Sequence, residues 1–402
     1  MPKLSRVRSG FGFAGSLALG LALGSPALVG QTTWGGTGST TSTSDWATAT
    51  NWSNGAPGSS NAAVFDGQGP TAITTSSSSI VVEGMTFSAG SYTITLGGKF
   101  NAPAGGITVT AGTQTFNGSG SFSISGNRTW SVAAGTAMNV SNNVIINQYG
   151  SLTLDGAGDY DLSGSMGGST ATTTFTKNGS GTAILRGATN TTVANMTVSA
   201  GTLLIDGAFS SATGTMAVNG GTLGGTGSMR KNTTINADGT LAPGAAGVGV
   251  LAFGGALTLA TGSTTAFELN GTTRGTGYDG LNITGLTTFG GTLELDFGST
   301  FADGTTLDLF ALGGVPAGSF DFITGIGSYA GSFTNVGGLW TMVSGGQQLS
   351  FSESTGDLTF SAATVPEPAA SVALAGAAAL AIVAWRRGRG RRTPREEAGK
   401  RS

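Results

Sequence analysis

The chain has 402 residues, of which 72 are glycine and none is histidine or cysteine. The lack of histidine excludes Ser-His-Asp triads, Cys-His dyads and histidine metal sites, and the lack of cysteine excludes disulfides and thiolate metal sites. Only 9% of the residues are charged, and the formal net charge is −2. The apolar fraction of 38% is enough for a continuous core. Burial and backbone hydrogen bonds must therefore hold the fold.

The first 27 residues have the features of a secretory signal peptide. An apolar segment at 11–23 follows a basic stretch and precedes the small-residue exit Ser25-Pro26-Ala27; the basic residues are Lys3, Arg6 and Arg8. We expect cleavage after Ala27, with Gly30 as the alternative. Residues 31–365 carry seven basic and 17 acidic side chains, a net charge of −10. An acidic exported protein is not expected to bind nucleic acid.

Three tryptophans, Trp34, Trp46 and Trp52, lie close together near the start of the exported part. They could stack on sugars, or they could cover the hydrophobic end of a repeat fold. We expect them to close the end of the fold, because a terminal repeat must cover its apolar cross-section.

One short sequence motif recurs along the chain. A Gly-Thr or Gly-Ser pair leads into three to five alternating residues and then, in most copies, another glycine, at 150–156, 181–187, 201–207, 221–227, 239–244 and 291–296. The copies that begin at 181, 201, 221 and 239 are 20, 20 and 18 residues apart. A period near 20 is typical of one coil of a β-solenoid with glycine at its corners. The competing fold is a β-sandwich, which the shorter turn spacing between residues 86 and 130 would suit.

Residues 175–187, continued through 198–207, resemble one full autotransporter-associated β-strand repeat. The segments at 51–57 and 63–67, together with the tryptophans, resemble the cap that opens such repeat proteins. The resemblance implies an all-β fold, a right-handed parallel β-helix. It places the cap and first coils at 31–85 and the solenoid repeats at 86–361.

Acidic residues are the remaining candidates for chemistry. Asp155, Asp159 and Asp161 could bind Ca²⁺, but their spacing fits no known calcium loop, so we expect a solvated turn. Glu294 and Asp296 alternate on one strand face and could form the acid–base pair of a glycosidase. Charges that protect an exposed sheet face are the simpler interpretation, and Asp303 and Asp308 are weaker candidates of the same kind. No catalytic, cofactor-binding or metal residue is therefore assigned, and no cofactor is expected.

The C-terminal segment at 365–392 has three ordered parts. A Val-Pro-Glu-Pro motif precedes an apolar run at 369–385 and an arginine cluster at 386–392. The run predicts a helix of about 25 Å, at the short limit for crossing a membrane, with the arginines on the cytoplasmic side. The order resembles the PEP-CTERM sorting signal of Gram-negative bacteria. The processing determinants would be Val365, Pro366, Glu367, Pro368, Arg386, Arg387, Arg389, Arg391 and Arg392.

These features together predict a non-enzymatic structural or adhesive protein. The PEP-CTERM resemblance implies processing by a membrane-embedded exosortase, at least transient anchoring in the inner membrane, and delivery to the envelope surface or to an exopolysaccharide matrix, as in biofilms. Exopolysaccharide is the candidate matrix partner. Two alternatives stay open: a carboxylate-dependent polysaccharide hydrolase or lyase on a β-helix, and a membrane-anchored carbohydrate-binding rod.

Overall fold

A computed structural model describes residues 30–35, 44–76, 78–168, 172–188, 190, 193–244 and 247–363. These residues form an all-β fold with one 3-10 turn at Ala49–Asn51. The strands up to residue 218 are β1 Gln31–Thr33, β2 Ala62–Asp66, β3 Ala72–Thr74, β4 Ile80–Val81, β5 Met85–Ala89, β6 Thr93–Thr95, β7 Lys99–Asn101, β8 Ile107–Val109, β9 Thr113–Asn117, β10 Ser121–Ile124, β11 Asn127–Val132, β12 Ala137–Val140, β13 Asn143–Ile146, β14 Ser151–Asp155, β15 Asp159–Leu162, β16 Met166–Gly168, β17 Thr174–Lys177, β18 Thr182–Leu185, β19 Asn195–Val198, β20 Thr202–Ile205, β21 Ala208–Phe209 and β22 Thr215–Val218.

The remaining strands are β23 Gly221–Gly225, β24 Ser228–Met229, β25 Asn232–Ile235, β26 Gly239–Pro243, β27 Val250–Phe253, β28 Leu257–Leu259, β29 Thr264–Leu269, β30 Gly280–Ile283, β31 Thr287–Phe289, β32 Thr292–Phe297, β33 Thr306–Asp308, β34 Phe310–Leu312, β35 Ala317–Gly318, β36 Phe322–Gly327, β37 Gly331–Ser332, β38 Thr334–Val336, β39 Leu339–Ser344, β40 Gln347–Ser352 and β41 Asp357–Ala362. The described residues divide into two compact units. The first unit runs up to Thr222 and includes Ser228–Asn232, and the second comprises Leu223–Gly227 and the residues from Thr233 on.

Parallel sheets build the first unit. One sheet has the order β1-β2-β5-β8-β11-β14-β17-β19-β22, a second has β3-β6-β9-β12-β15-β18-β20, and a third has β4-β7-β10-β13-β16. Every neighbouring pair in these three sheets is parallel. The chain visits the sheets in turn, as in a β-helix, so the strands between residues 86 and 130 are not the hairpins of the competing sandwich.

Alternation along each strand explains why these residues form coils. In β12, Met138 and Val140 are buried, whereas the residues between and before them are half-buried. Met138 lies opposite Tyr160 on the next coil, which is also buried. In-register pairing thus places apolar residues on apolar residues from coil to coil, as in the stacked rings of Phe65 and Phe87, whose centroids are 4.5 Å apart.

The coils are mostly longer than the predicted 20 residues. Hydrogen bonds that join adjacent coils span 22 residues from Tyr92 to Gln114 and 25 residues from Asp161 to Arg186. The span falls to 20 residues at Asn195–Thr215, within the stretch that contains the evenly spaced Gly-Thr copies. The 20-residue spacing of the Gly-Thr copies therefore matches the shortest coils of the fold and not the typical coil.

The second unit combines parallel and antiparallel sheets. Its parallel sheets have the orders β25-β28-β31-β35, β26-β29-β32-β36 and β27-β30-β34. Coil-to-coil bonds here span 30 residues, as from Gly249 to Asp279. An antiparallel sheet follows in the order β33-β41-β40-β39-β38, and β37 adds antiparallel to β36. The sequence assigns these residues to the solenoid repeats, because their glycines are interpreted as coil corners. It does not predict the antiparallel sheet.

Within the described ranges no helix is long and apolar enough to cross a membrane. The predicted signal peptide, the predicted membrane helix at 369–385 and the basic tail at 386–392 lie outside the described residues. Those elements stay predictions from the sequence.

Candidate functional site

All nine predicted sorting residues lie in the segment after residue 363, outside the described part of the chain. The last described element before them is β41, which ends at Ala362. The folded domain therefore extends to within three residues of the Val-Pro-Glu-Pro motif.

The three tryptophans are buried and pack on one another. Trp34, Trp46 and Trp52 are each at most 2% exposed, and Trp52 makes edge contacts with both others at centroid distances of 5.0 Å. Phe65 and Phe100 contact the ring of Trp46. A buried ring cannot offer its face to a sugar, so these contacts favour the closing role over sugar binding.

The aspartates of the predicted turn each bond to the following coil. Asp155 accepts from Asn178, Asp159 accepts from the backbone N–H of Thr182, and Asp161 forms an ion pair with Arg186 at 3.0 Å. In the parts of the chain that the structure covers, no group of three or more acidic side chains is arranged to hold a metal ion. The geometry therefore points to links between coils and gives no support to a calcium site.

Glu294 and Asp296 lie on the outward side of β32, as the alternation predicts. Ala266 and Glu268 on β29 are their neighbours in register on one side, and Thr324 and Ile326 on β36 on the other. Glu268 and Asp296 are both exposed. Exposed carboxylates spread over an outward sheet face fit the simpler interpretation, charges that protect that face.

Asp303 and Asp308 contact different side chains. Asp303 accepts a hydrogen bond from Gln347 at 2.5 Å, whereas Asp308 lies 3.9 Å from the guanidinium of Arg274. Burial raises the pKa of Asp308, and the charge of Arg274 opposes this rise. Each carboxyl thus has a separate structural partner.

Lys177 is a group that the sequence did not single out. The side chain is fully buried, and burial lowers its pKa to about 8, against the opposing charges of Asp155 and Asp159. A lysine with a lowered pKa can act as a nucleophile if a substrate reaches it. Here the ammonium donates to the carbonyl oxygens of Gly179 and Ala200, so it satisfies corner carbonyls inside the core.

A second feature missed by the sequence is Glu353. Leu349 and Phe351 on β40 are buried, and Glu353 continues their alternation to an inward position, where it is 6% exposed. A charged residue at an apolar position of a strand pattern is the signal that could have found it. The carboxylate lines a groove in the second unit.

Comparison with known families gives one result for the C-terminal segment. Residues 364–389 match the PEP-CTERM protein-sorting motif. The match covers Val365–Pro368 and the arginines up to Arg389, and it ends before Arg391 and Arg392. The motif indicates an exported, envelope-associated protein of Gram-negative bacteria that is sorted by an exosortase, a membrane enzyme. Comparisons with curated proteins and with solved structures found no match.

Proposed function

We propose that the protein is a structural or adhesive component of the cell surface or extracellular matrix and has no catalytic activity. The observation that carries this proposal is the combination of one sorting motif with an exported domain built from long parallel sheets. Repeated coils present long exposed faces, which suit contacts with an extended partner. Exopolysaccharide is the partner class we propose, since sorting of this kind delivers proteins to the envelope surface.

The absence of catalysis is part of the proposal and has its own support. The chain contains no histidine or cysteine, and the carboxylates predicted from the sequence either bond to other groups of the fold or lie on an outward sheet face. A panel of acidic and neutral polysaccharides should therefore release no reducing or unsaturated sugar with the purified protein. Release that Glu294→Ala abolishes would favour the enzyme alternative.

Localisation tests the sorting part of the proposal. We expect deletion of residues 365–402 to remove the protein from the cell surface and release it into the periplasm or medium, measured by fractionation and by protease accessibility on whole cells. Alanine replacement of Val365–Pro368 should block processing, seen as a larger mass of the mature protein. The matched control, Glu396→Gln with Glu397→Gln, alters the tail beyond the motif. Surface display of the truncated protein at the wild-type level would contradict the proposal.

A further inference from the structure

A groove of about 280 Å³ lies in the second unit, beside the antiparallel sheet. One part of its wall is apolar and accessible: Val315 is 87% exposed and Leu339 is 45% exposed, with Pro316 beside them. Gly337 and Gly338, which form a turn, also line the groove and add no side chains to its wall.

Among the described residues that line this groove, Glu353 alone carries a charge. Its Oε1 accepts three hydrogen bonds, from the hydroxyl of Ser319 at 2.8 Å, the backbone N–H of Phe320 at 2.8 Å and the indole N–H of Trp340 at 2.9 Å. Within the described residues, its Oε2 receives no hydrogen bond. A Cβ built on Gly338 would stand 3.5 Å from Oε2, so this oxygen lies at the groove wall.

A second layer of hydrogen bonds holds this carboxylate in place. The side-chain amide of Asn335 donates to the Ser319 hydroxyl at 3.1 Å, and its oxygen accepts from the N–H of Gly338 at 2.9 Å. The N–H of Glu353 donates to the carbonyl of Gly338 at 3.0 Å. The groove is therefore preorganised around a fixed acceptor, as binding sites are.

Glu353 also lacks a cationic partner within the described part of the chain. The three ion pairs found there involve Arg186 and Arg274, and neither of these lines the groove. A largely buried carboxylate with an accessible oxygen favours a cationic group as the ligand of this groove. A metal ion would need several oxygen ligands from the protein, and no cluster of three acidic residues exists among the residues described.

We propose that this groove binds a primary ammonium group carried on an aliphatic stem, such as a lysine side chain. The ammonium would meet Oε2 of Glu353, and the stem would lie along Val315, Pro316 and Leu339. A guanidinium binds a carboxylate best through both oxygens, but the three donors on Oε1 leave only Oε2 free. A compact point charge with three donors suits one free oxygen better, and the nearby hydroxyls of Ser352 and Ser354 offer further acceptors. None of the described lining residues is aromatic, which disfavours a sugar ring.

Titration of the full-length protein with n-pentylammonium, followed by calorimetry or NMR, tests this site. We expect saturable binding that weakens as salt rises, and at least about tenfold weaker binding in Glu353→Gln, because the amide removes the charge that the ammonium contacts. Glu294→Gln is the matched control, since it removes a carboxylate of the same unit away from the groove. Equal binding in wild type and Glu353→Gln would overturn the proposal.

Further ligands and variants keep the test independent of folding. Val315→Ser changes an exposed side chain and should weaken binding severalfold, whereas Val343→Ser, also exposed but outside the groove, should not. N-acetyl-lysine amide should bind and its ζ-acetylated form should not, because acetylation removes the charge. Tighter binding of n-butylguanidinium, CaCl₂ or glucose than of n-pentylammonium would refute the assigned ligand class. The site does not depend on the sorting motif, so deletion of residues 365–402 should leave binding unchanged.

Discussion

Asp279 is a carboxyl group buried in the second unit, at 1% exposure. Its two oxygens accept from the backbone N–H groups of Gly249 and Glu268, both at 2.7 Å. Burial raises its pKa to about 7, these two hydrogen bonds oppose the rise, and the charge of Glu268 adds to it. One side chain thus ties the loop before β30 to a neighbouring coil, at the cost of burying a titratable group.

This raised pKa predicts a pH dependence of stability. The folded state holds the Asp279 proton up to about pH 7, whereas the unfolded state loses it near pH 3.8. Since the folded state binds more protons between these values, the contribution of Asp279 to the free energy of unfolding falls as pH rises from 3.8 to about 7. Asp279→Asn should flatten this slope in chemical unfolding curves measured at several pH values. Asp321→Asn, an exposed carboxyl that also accepts from a backbone N–H, controls for the loss of one charge. A slope unchanged by Asp279→Asn would contradict the prediction.

Buried Gln and Asn side chains also bond to the backbone of neighbouring coils, but they carry no charge. The side chain of Gln114 is fully buried, donates to the carbonyls of Gly90 and Ala111, and accepts from the N–H of Tyr92. Asn142 donates to three carbonyls of the preceding coil, those of Asn117, Gly118 and Gly120. Buried corner carbonyls need such partners, because an unpaired buried polar group costs about 1–3 kcal/mol. This accounts for polar side chains such as those of Gln114 and Asn142 inside an otherwise apolar core.

At the scale of the coil, corner glycines fix how closely successive coils approach. Gly156 has φ 87°, and a Cβ built there would stand 2.1 Å from the carbonyl oxygen of Val132 on the preceding coil. Gly135 has φ 74°, yet a Cβ there would meet nothing within 4 Å. Both glycines have a left-handed backbone conformation, but only Gly156 also contacts the preceding coil. Comparing them therefore distinguishes the cost of the conformation from the cost of the contact.

Alanine substitutions at these two corners should therefore differ. Gly135→Ala should lower the free energy of unfolding by about 1–2 kcal/mol, the cost of a left-handed conformation. Gly156→Ala adds a backbone clash and should destabilise by several kcal/mol more, lowering the thermal midpoint measured by circular dichroism. Equal effects of the two substitutions would show that the coils can separate without cost.

The sequence predicted the parallel elements better than the antiparallel ones. Gly-Thr phrases with apolar alternation correctly indicated strands such as β18 and β20, which pair in register. Two hairpins in the last sheet were missed although their signal was present: Gly337-Gly338 joins β38 to β39, and Gly345-Gly346 joins β39 to β40. All four glycines have positive φ, as a type I′ turn requires. In a chain with 72 glycines, the same residue marks coil corners and hairpins, and composition cannot separate them.

The groove could not have been predicted from the sequence in the same way. Alternation places Glu353 inward, but its hydrogen-bond donors lie 13 to 34 residues away along the chain. Only the packing of β35, β39 and β40 brings them together. The tail could be read from sequence, because its signal is carried by the local order of proline motif, apolar run and arginines.

At the scale of the whole molecule, the last described strand ends just before the sorting motif. Strand β41 pairs with both β33 and β40, and its Leu358 and Phe360 are at most 1% exposed. Ala362 is the last residue of β41, and the matched motif starts at residue 364. Processing within the Val-Pro-Glu-Pro motif therefore leaves every described strand in place.

Two truncated proteins test whether β41 is needed for the fold and the segment after it is not. A protein ending at residue 364 should unfold at the same temperature as the full chain, because no described strand is lost. A protein ending at Gly356 loses β41, which joins β33 to β40, and with it the burial of Leu358 and Phe360. Removing two large core side chains costs about 5–10 kcal/mol, comparable with the whole stability of a domain, so the second unit should unfold. Limited proteolysis with mass spectrometry should then find new cleavage sites after Thr233. A lower unfolding temperature for the chain ending at 364 would show instead that the tail supports the fold.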